Sequence, residues 1–89
     1  MFNGVYIVTG ASSGIGAKTV ELLNEHGAVV VAIARNENRL NEIKNKCKQP
    51  ENVFVEVKDL TDDIDNLAKY VKELKDKYGK FKGLVIVPE

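Results

Sequence analysis

The sequence predicts a parallel α/β domain, and three observations carry that expectation. Short apolar, β-branched runs alternate with helical segments along the whole chain. One run, Ala28–Ala34 (AVVVAIA), is apolar at every position, as expected of a strand covered on both faces. A glycine cluster, TGASSGIG at residues 9–16, sits at the first strand-to-helix junction. The order βαβαβαβ, joined by right-handed crossovers, yields a parallel sheet with helices on its faces. With 89 residues the chain has room for one domain, residues 1–89.

The elements follow in order. Val5–Thr9 reads as the first strand. Gly14–His26 is a helix with Ile15, Val20, Leu22 and Leu23 expected on its buried face, and Gly27 is placed to end it in the left-handed region. After the second strand, Asn36 can cap a helix in which Leu40, Ile43 and Cys47 recur at helical spacing. That helix stops before Gln49-Pro50, because a proline disfavours helical geometry in the residue preceding it. Val53, Val55 and Val57 alternate with Phe54 and Glu56 as a third strand. Thr61 is an expected N-cap, with Asp62, Asp63 and Asp65 complementing the helix dipole. Ile64, Leu67, Val71, Leu74 and Tyr78 mark one face of a helix ending near Gly79, and Leu84–Val87 forms a fourth apolar run.

Composition narrows the function classes. Thirteen basic residues offset thirteen acidic ones, which removes the electrostatic reason to expect nucleic acid or an anionic membrane as a partner. The absence of Trp leaves little material for a base-stacking surface. Cys47 is the only cysteine and His26 the only histidine, so neither a disulfide nor a metal site is expected. No run is long enough to span a bilayer, and the expectation is a soluble cytoplasmic domain. The lysines of the last helix alternate with acids and read as a solvated face.

The glycine cluster is where chemistry enters. A helix N-terminus offers unpaired N–H groups and a dipole that favours an anion. Glycines there permit a tight turn, close approach of a phosphate, and close packing of helix on strand. Ser12 and Ser13 can add hydroxyl donors. The spacing, Gly-x-x-x-Gly-x-Gly, differs from G-x-G-x-x-G, and no Lys-Ser/Thr pair follows to make a P-loop. TGASSGIG resembles the cofactor signature of the short-chain dehydrogenase/reductase family, and the likeness continues at Ala34-Arg35-Asn36 and at Asp59-Leu60-Thr61-Asp62. The resemblance implies a Rossmann-like three-layer αβα fold with a four-stranded parallel sheet of order 3-2-1-4. It also implies a nicotinamide dinucleotide held by Gly10, Ser12, Ser13, Gly14, Ile15, Gly16, Arg35, Asn36, Asp59 and Leu60.

Within that resemblance, Arg35 stands where a guanidinium can pair with a ribose 2′-phosphate, and Ala34 where NAD-preferring members carry an acid. NADP(H) is therefore expected over NAD(H). Arg35 also reads as a solvated residue opening a helix beside Glu37 or Glu42, and Asp59 as a turn residue before the Thr61 cap.

The family's catalytic Ser, Tyr and Lys have no counterpart here. Tyr78 and Lys82 form a Tyr-x-x-x-Lys string, but Gly79 follows at once and Phe81-Lys82-Gly83 leads into a strand, so the string reads as coincidence. Where members continue with Asn-Asn-Ala-Gly, this chain has Ile86-Val87-Pro88-Glu89. The expectation is an NADP(H)-binding segment of a short-chain oxidoreductase, without activity of its own. Two alternatives remain: a stand-alone nucleotide-binding regulatory module, or a scaffold that pairs with another polypeptide or another copy through the apolar edge Leu84–Val87.

Overall fold

The protein is described by a computed structural model covering residues 4–58 and 64–87, with side chains in the second stretch from residue 68 onward. Its elements are β1 (Val5–Thr9), α1 (Gly14–Glu25), β2 (Val29–Ala34), α2 (Glu37–Lys46), a short 3₁₀ turn (Pro50–Asn52), β3 (Val53–Val57), α3 (Ile64–Tyr78) and β4 (Phe81–Ile86). The four strands are all parallel, in the order β3-β2-β1-β4. This is the expected Rossmann-like arrangement.

The uniform apolarity of β2 is explained by its two covered faces. Val30, Ala32 and Ala34 join Ala17 and Val20 of α1 and Leu40 and Ile43 of α2 in one core. Val31 and Ile33 turn the other way, to Ile7 and to Tyr70 and Leu74 of α3. Two helices thus cover one face and α3 the other. Each fully buried aliphatic side chain contributes about 1.5–3 kcal/mol, so the central strands hold both layers.

The buried face of α1 differs from the expected one. Gly16, Ala17, Val20 and Asn24 are buried, whereas Ile15 and Leu22 are exposed. At about 100° per residue, Ile15 and Leu22 both lie roughly 140–160° around the helix from Val20, so hydrophobicity alone misplaced them. The small residues on the inner face bring the helix close to the sheet. His26 is the C-cap, and Gly27 takes φ +92°, ending the helix in the left-handed region.

Asn24 is the buried polar residue that the pattern did not single out. Its Nδ2 donates to the Gln49 carbonyl at 2.7 Å and its Oδ1 accepts from the Gln49 N–H at 3.0 Å. This two-way bond ties the end of α1 to the loop that leaves α2. Asn36 does cap α2, accepting from the Arg39 N–H at 3.1 Å, and Cys47 is buried at the helix end.

On β3, Val53 is buried but Val57 is exposed, because this outer strand has a neighbour on one side only. On α3, Tyr70 and Leu74 are buried and Val71 only half so; the expected Thr61 cap lies outside the described residues. Tyr70 enters the core because its hydroxyl finds the Glu56 carboxylate at 3.4 Å. Glu56 also accepts from Lys77 Nζ at 2.9 Å and Tyr78 Oη at 2.5 Å. Burial opposes ionisation of Glu56, yet Lys77 and the two phenols outweigh it and hold the carboxyl below its usual range.

β4 begins at Phe81 and ends at Ile86, earlier at both ends than the expected Leu84–Val87. The half-buried residues Phe81, Gly83 and Val85 alternate with exposed Lys82, Leu84 and Ile86. Leu84 is the partner of Ile7 and so stands on the α3 face of the sheet, but no described element covers it.

Replacing Asn24 by alanine leaves the Gln49 N–H without its partner in a half-buried site, while the Gln49 carbonyl keeps the Asn52 N–H at 2.9 Å. The expected loss is about 1–3 kcal/mol, read by urea denaturation; a loss under about 0.5 kcal/mol contradicts the assigned role of that bond.

Candidate functional site

Parallel strands place their C-terminal ends along one edge of the sheet. The chain leaves β1 there for α1, β2 for α2 and β3 toward α3. Because β2 and β4 lie on opposite sides of β1, the connections diverge at that strand, and the crevice beside it is where open α/β sheets receive ligands.

The turn from β1 is held tightly. Gly10 has φ +62°, and a Cβ on it would run into the Val87 carbonyl oxygen. Gly16 has no room either, since its Cβ would meet the Gly10 carbonyl. Both glycines are therefore required by the fold: one lets the chain turn beside β4, the other lets α1 approach the turn. The Ala11 N–H donates to the Ile33 carbonyl at 3.0 Å, pinning the turn to β2.

Gly14 is different. Its φ is not positive, and a Cβ placed there would meet nothing within 4 Å. The folded chain supplies no steric reason for a glycine at this position. Among the described residues, no group accepts from the N–H of Gly14 or of Ile15. The first turn of α1 contains no acidic side chain. Two unpaired backbone donors at a helix N-terminus beside an open space make this turn a candidate cradle for an anion.

The serines divide their roles. Ser13 is the N-cap: its hydroxyl donates to the Gly10 carbonyl at 2.8 Å and accepts from the Gly16 N–H at 3.0 Å. That hydroxyl is engaged within the turn, so the neighbouring Ser12 has the freer one. Ile15, exposed at 73%, stands beside the cradle. Arg35 follows β2 directly and is exposed, and Asn36 is engaged as the α2 cap. Asp59 and Leu60 lie outside the described residues; the last described residue before them, Lys58, donates its N–H to the Ala34 carbonyl at 2.9 Å, bringing the exit of β3 beside Arg35.

One residue missed by the sequence reading belongs here. Arg39, in the first turn of α2, donates from Nε to the Ser12 carbonyl at 3.5 Å and pairs with Glu42 at 3.4 Å. Its distance in sequence from the glycine cluster gave no signal, although its place one turn beyond Arg35 on a helix could have.

Tyr78 and Lys82 are not brought together as a catalytic pair. Tyr78 ends α3 with its hydroxyl on Glu56, while Lys82 lies in β4 with its methylene chain against Gly4. Burial and the Glu56 carboxylate push the Tyr78 phenol above its usual range, the opposite of what proton transfer near neutral pH needs. No group of His, Cys, Asp or Glu among the described residues could hold a metal ion, and no described helix is long and apolar enough to cross a membrane.

Comparison with known proteins bears on the family and the fold. The short chain dehydrogenase family profile matches residues 4–87. An uncharacterized oxidoreductase of Staphylococcus epidermidis is 42% identical over 67 residues, which are 75% of this chain and 29% of that protein. A short chain dehydrogenase structure from Bacillus anthracis superposes with a TM-score of 0.79 at 27% identity, over 96% of this chain and 34% of that one. A structure of actinorhodin polyketide ketoreductase with NADPH gives 0.77 at 26% identity, over 96% and 33% of the two chains. The chain belongs to the short chain dehydrogenase family and spans about a third of the length of these relatives.

The two glycines of α1 should separate in their effects. Gly14→Ala is expected to leave stability unchanged or slightly raised, since alanine favours helix by up to about 1 kcal/mol. Gly16→Ala is expected to cost about 1–3 kcal/mol through overpacking against the turn. Thermal or urea unfolding of the two variants decides it, and equal losses contradict the distinction.

Proposed function

We propose that this chain is the adenosine-phosphate-binding segment of an NADP(H)-dependent short-chain oxidoreductase, acting as one unit over residues 1–89. The observation that carries the reading is the open space at Gly14 together with the unpaired N–H groups of Gly14 and Ile15. A pyrophosphate fits that cradle in charge and donor geometry, with Gly10 and Gly16 shaping the turn and the Ser12 hydroxyl as an added donor. Arg35 at the end of β2 would pair with the ribose 2′-phosphate, supported by a similar ketoreductase structure with NADPH. Asn36 would stand beside it, and Asp59 and Leu60 would meet the adenine.

The nicotinamide cofactor supplies hydride chemistry in such an oxidoreductase. Within this chain, the residues bind and orient. With Tyr78 and Lys82 apart, no described pair offers the proton transfer to a carbonyl or alcohol oxygen, and we propose that the chain does not turn over substrate by itself.

Binding of NADPH and NADH to the chain, followed by calorimetry, tests the reading. NADPH is expected to bind more tightly, and Arg35→Ala to reduce NADPH affinity by about ten- to a hundredfold, the worth of one charge-assisted hydrogen bond of roughly 1.5–3 kcal/mol. A preference for NADH, or an Arg35→Ala variant that discriminates as before, contradicts it.

A second reading is favoured by the uncovered face of β4, where Ile86 is 65% and Leu84 40% exposed. In that reading the chain is a scaffold that self-associates or pairs along this edge. Sedimentation of the chain with Leu84→Lys and Ile86→Lys is expected to remove any concentration-dependent association; a wild-type monomer at high concentration removes the reading.

A further inference from the structure

The phosphate turn is held on its outer side by a residue that no cofactor contact requires. Gly10, Ala11 and Ser13 are all fixed by bonds within the turn or to β2: Ser13 N–H to the Gly10 carbonyl at 3.1 Å, and Ala11 N–H to the Ile33 carbonyl at 3.0 Å. The Ser12 carbonyl points away from these. Among the described residues its hydrogen-bond partner is Arg39 Nε, 27 positions along the chain, at 3.5 Å. The arginine is itself set in place twice, by Asn36 accepting from its backbone N–H and by Glu42 at its Nη1.

Peptide planarity makes this contact consequential. In a trans peptide the Ser12 carbonyl and the Ser13 N–H point in opposite directions. Arg39 holds one end of that plane, and the Gly10 carbonyl holds the other. The orientation of the peptide in turn sets where the Ser13 cap begins α1, and so the line along which the N–H groups of Gly14 and Ile15 point. The side chain of Arg39 is 38% exposed, so its bond is a local constraint and adds little to the core.

We propose that Arg39 is a positioning residue for the anion cradle: it clasps the Ser12 carbonyl from α2 and pre-organises the turn for the pyrophosphate common to NAD and NADP. Pre-organisation raises affinity by removing ordering that binding would otherwise require. The effect therefore falls equally on both nucleotides, unlike the effect of a residue that touches the 2′-phosphate. This inference rests on the dinucleotide reading above for its ligand, while the clasp itself can be examined with no ligand present.

The experiment compares the wild-type chain with Arg39→Met, which keeps the packing stem and removes the donors, and with Arg39→Lys. Amide hydrogen exchange of the ligand-free chains, read at Ser13, is expected to quicken in Arg39→Met by about three- to tenfold, the worth of one hydrogen bond, at unchanged melting temperature. Affinities for NAD+ and NADP+ are both expected to fall by that same factor, with partial recovery in Arg39→Lys. Unchanged exchange at Ser13 overturns the clasp. A loss confined to NADP+ also overturns it, since Arg39 would then touch the 2′-phosphate directly. If the wild-type chain binds neither nucleotide, the dinucleotide reading fails, and the exchange at Ser13 still decides whether the clasp exists.

Discussion

The carbonyl of Gly10 is the point on which the architecture of the site depends. It accepts from both the backbone and the hydroxyl of Ser13, and it lies where any side chain at position 16 would stand. On the other side of the same residue, the Val87 carbonyl excludes a Cβ from position 10. Three elements thus meet at one crowded backbone position: β1 leaving the sheet, α1 starting, and β4 ending. The crowding forces the chain to turn in one way, and among the described residues that turn leaves the N–H groups of Gly14 and Ile15 without an acceptor. Packing inside the fold generates the candidate cradle, and the helix dipole is the electrostatic contribution that an anion placed there would meet.

The surrounding sheet makes that position rigid. β1 lies between β2 and β4 with paired backbone along both sides, and β2 carries buried side chains on both faces. Motion of the turn would disturb the Ala11 bond to Ile33 and hence the most buried strand. The polar ties lie farther out: Asn24 on Gln49 beneath α1, and Glu56 with Tyr70, Tyr78 and Lys77 beneath α3. These fix the helices around the sheet, at positions distinct from the glycine turn, so the stability of the fold and the shape of that turn can be altered separately.

Much of this was legible in the sequence, for identifiable reasons. β2 announced itself because seven consecutive apolar residues admit few other structures, and the strand order followed from the family likeness of TGASSGIG, Ala34-Arg35-Asn36 and Asp59-Leu60. The capping roles of Asn36 and Gly27 followed from local chemistry. What escaped depended on contacts between distant residues. Ile15 and Leu22 were hydrophobic but on the wrong side of α1, Asn24 looked like an ordinary polar helix residue, and Tyr70 earned its burial from a carboxylate on another element. The site showed the same division. The glycines were visible as a cluster, but which of them the fold requires and which the fold leaves unexplained emerged only from the space around each. Arg39 was invisible for a similar reason, since its partner is a backbone carbonyl far away in the chain.

The central claim is that the space at Gly14 and the two unpaired N–H groups receive the pyrophosphate of a dinucleotide. Amide chemical shifts of the chain, followed as NADP+ is added, test it at the atoms concerned. The account predicts the largest changes at the Gly14 and Ile15 amides, accompanied by changes at Arg35, with the amides of α3 left nearly unmoved. Saturating NADP+ that leaves the Gly14 and Ile15 amides unshifted would contradict it.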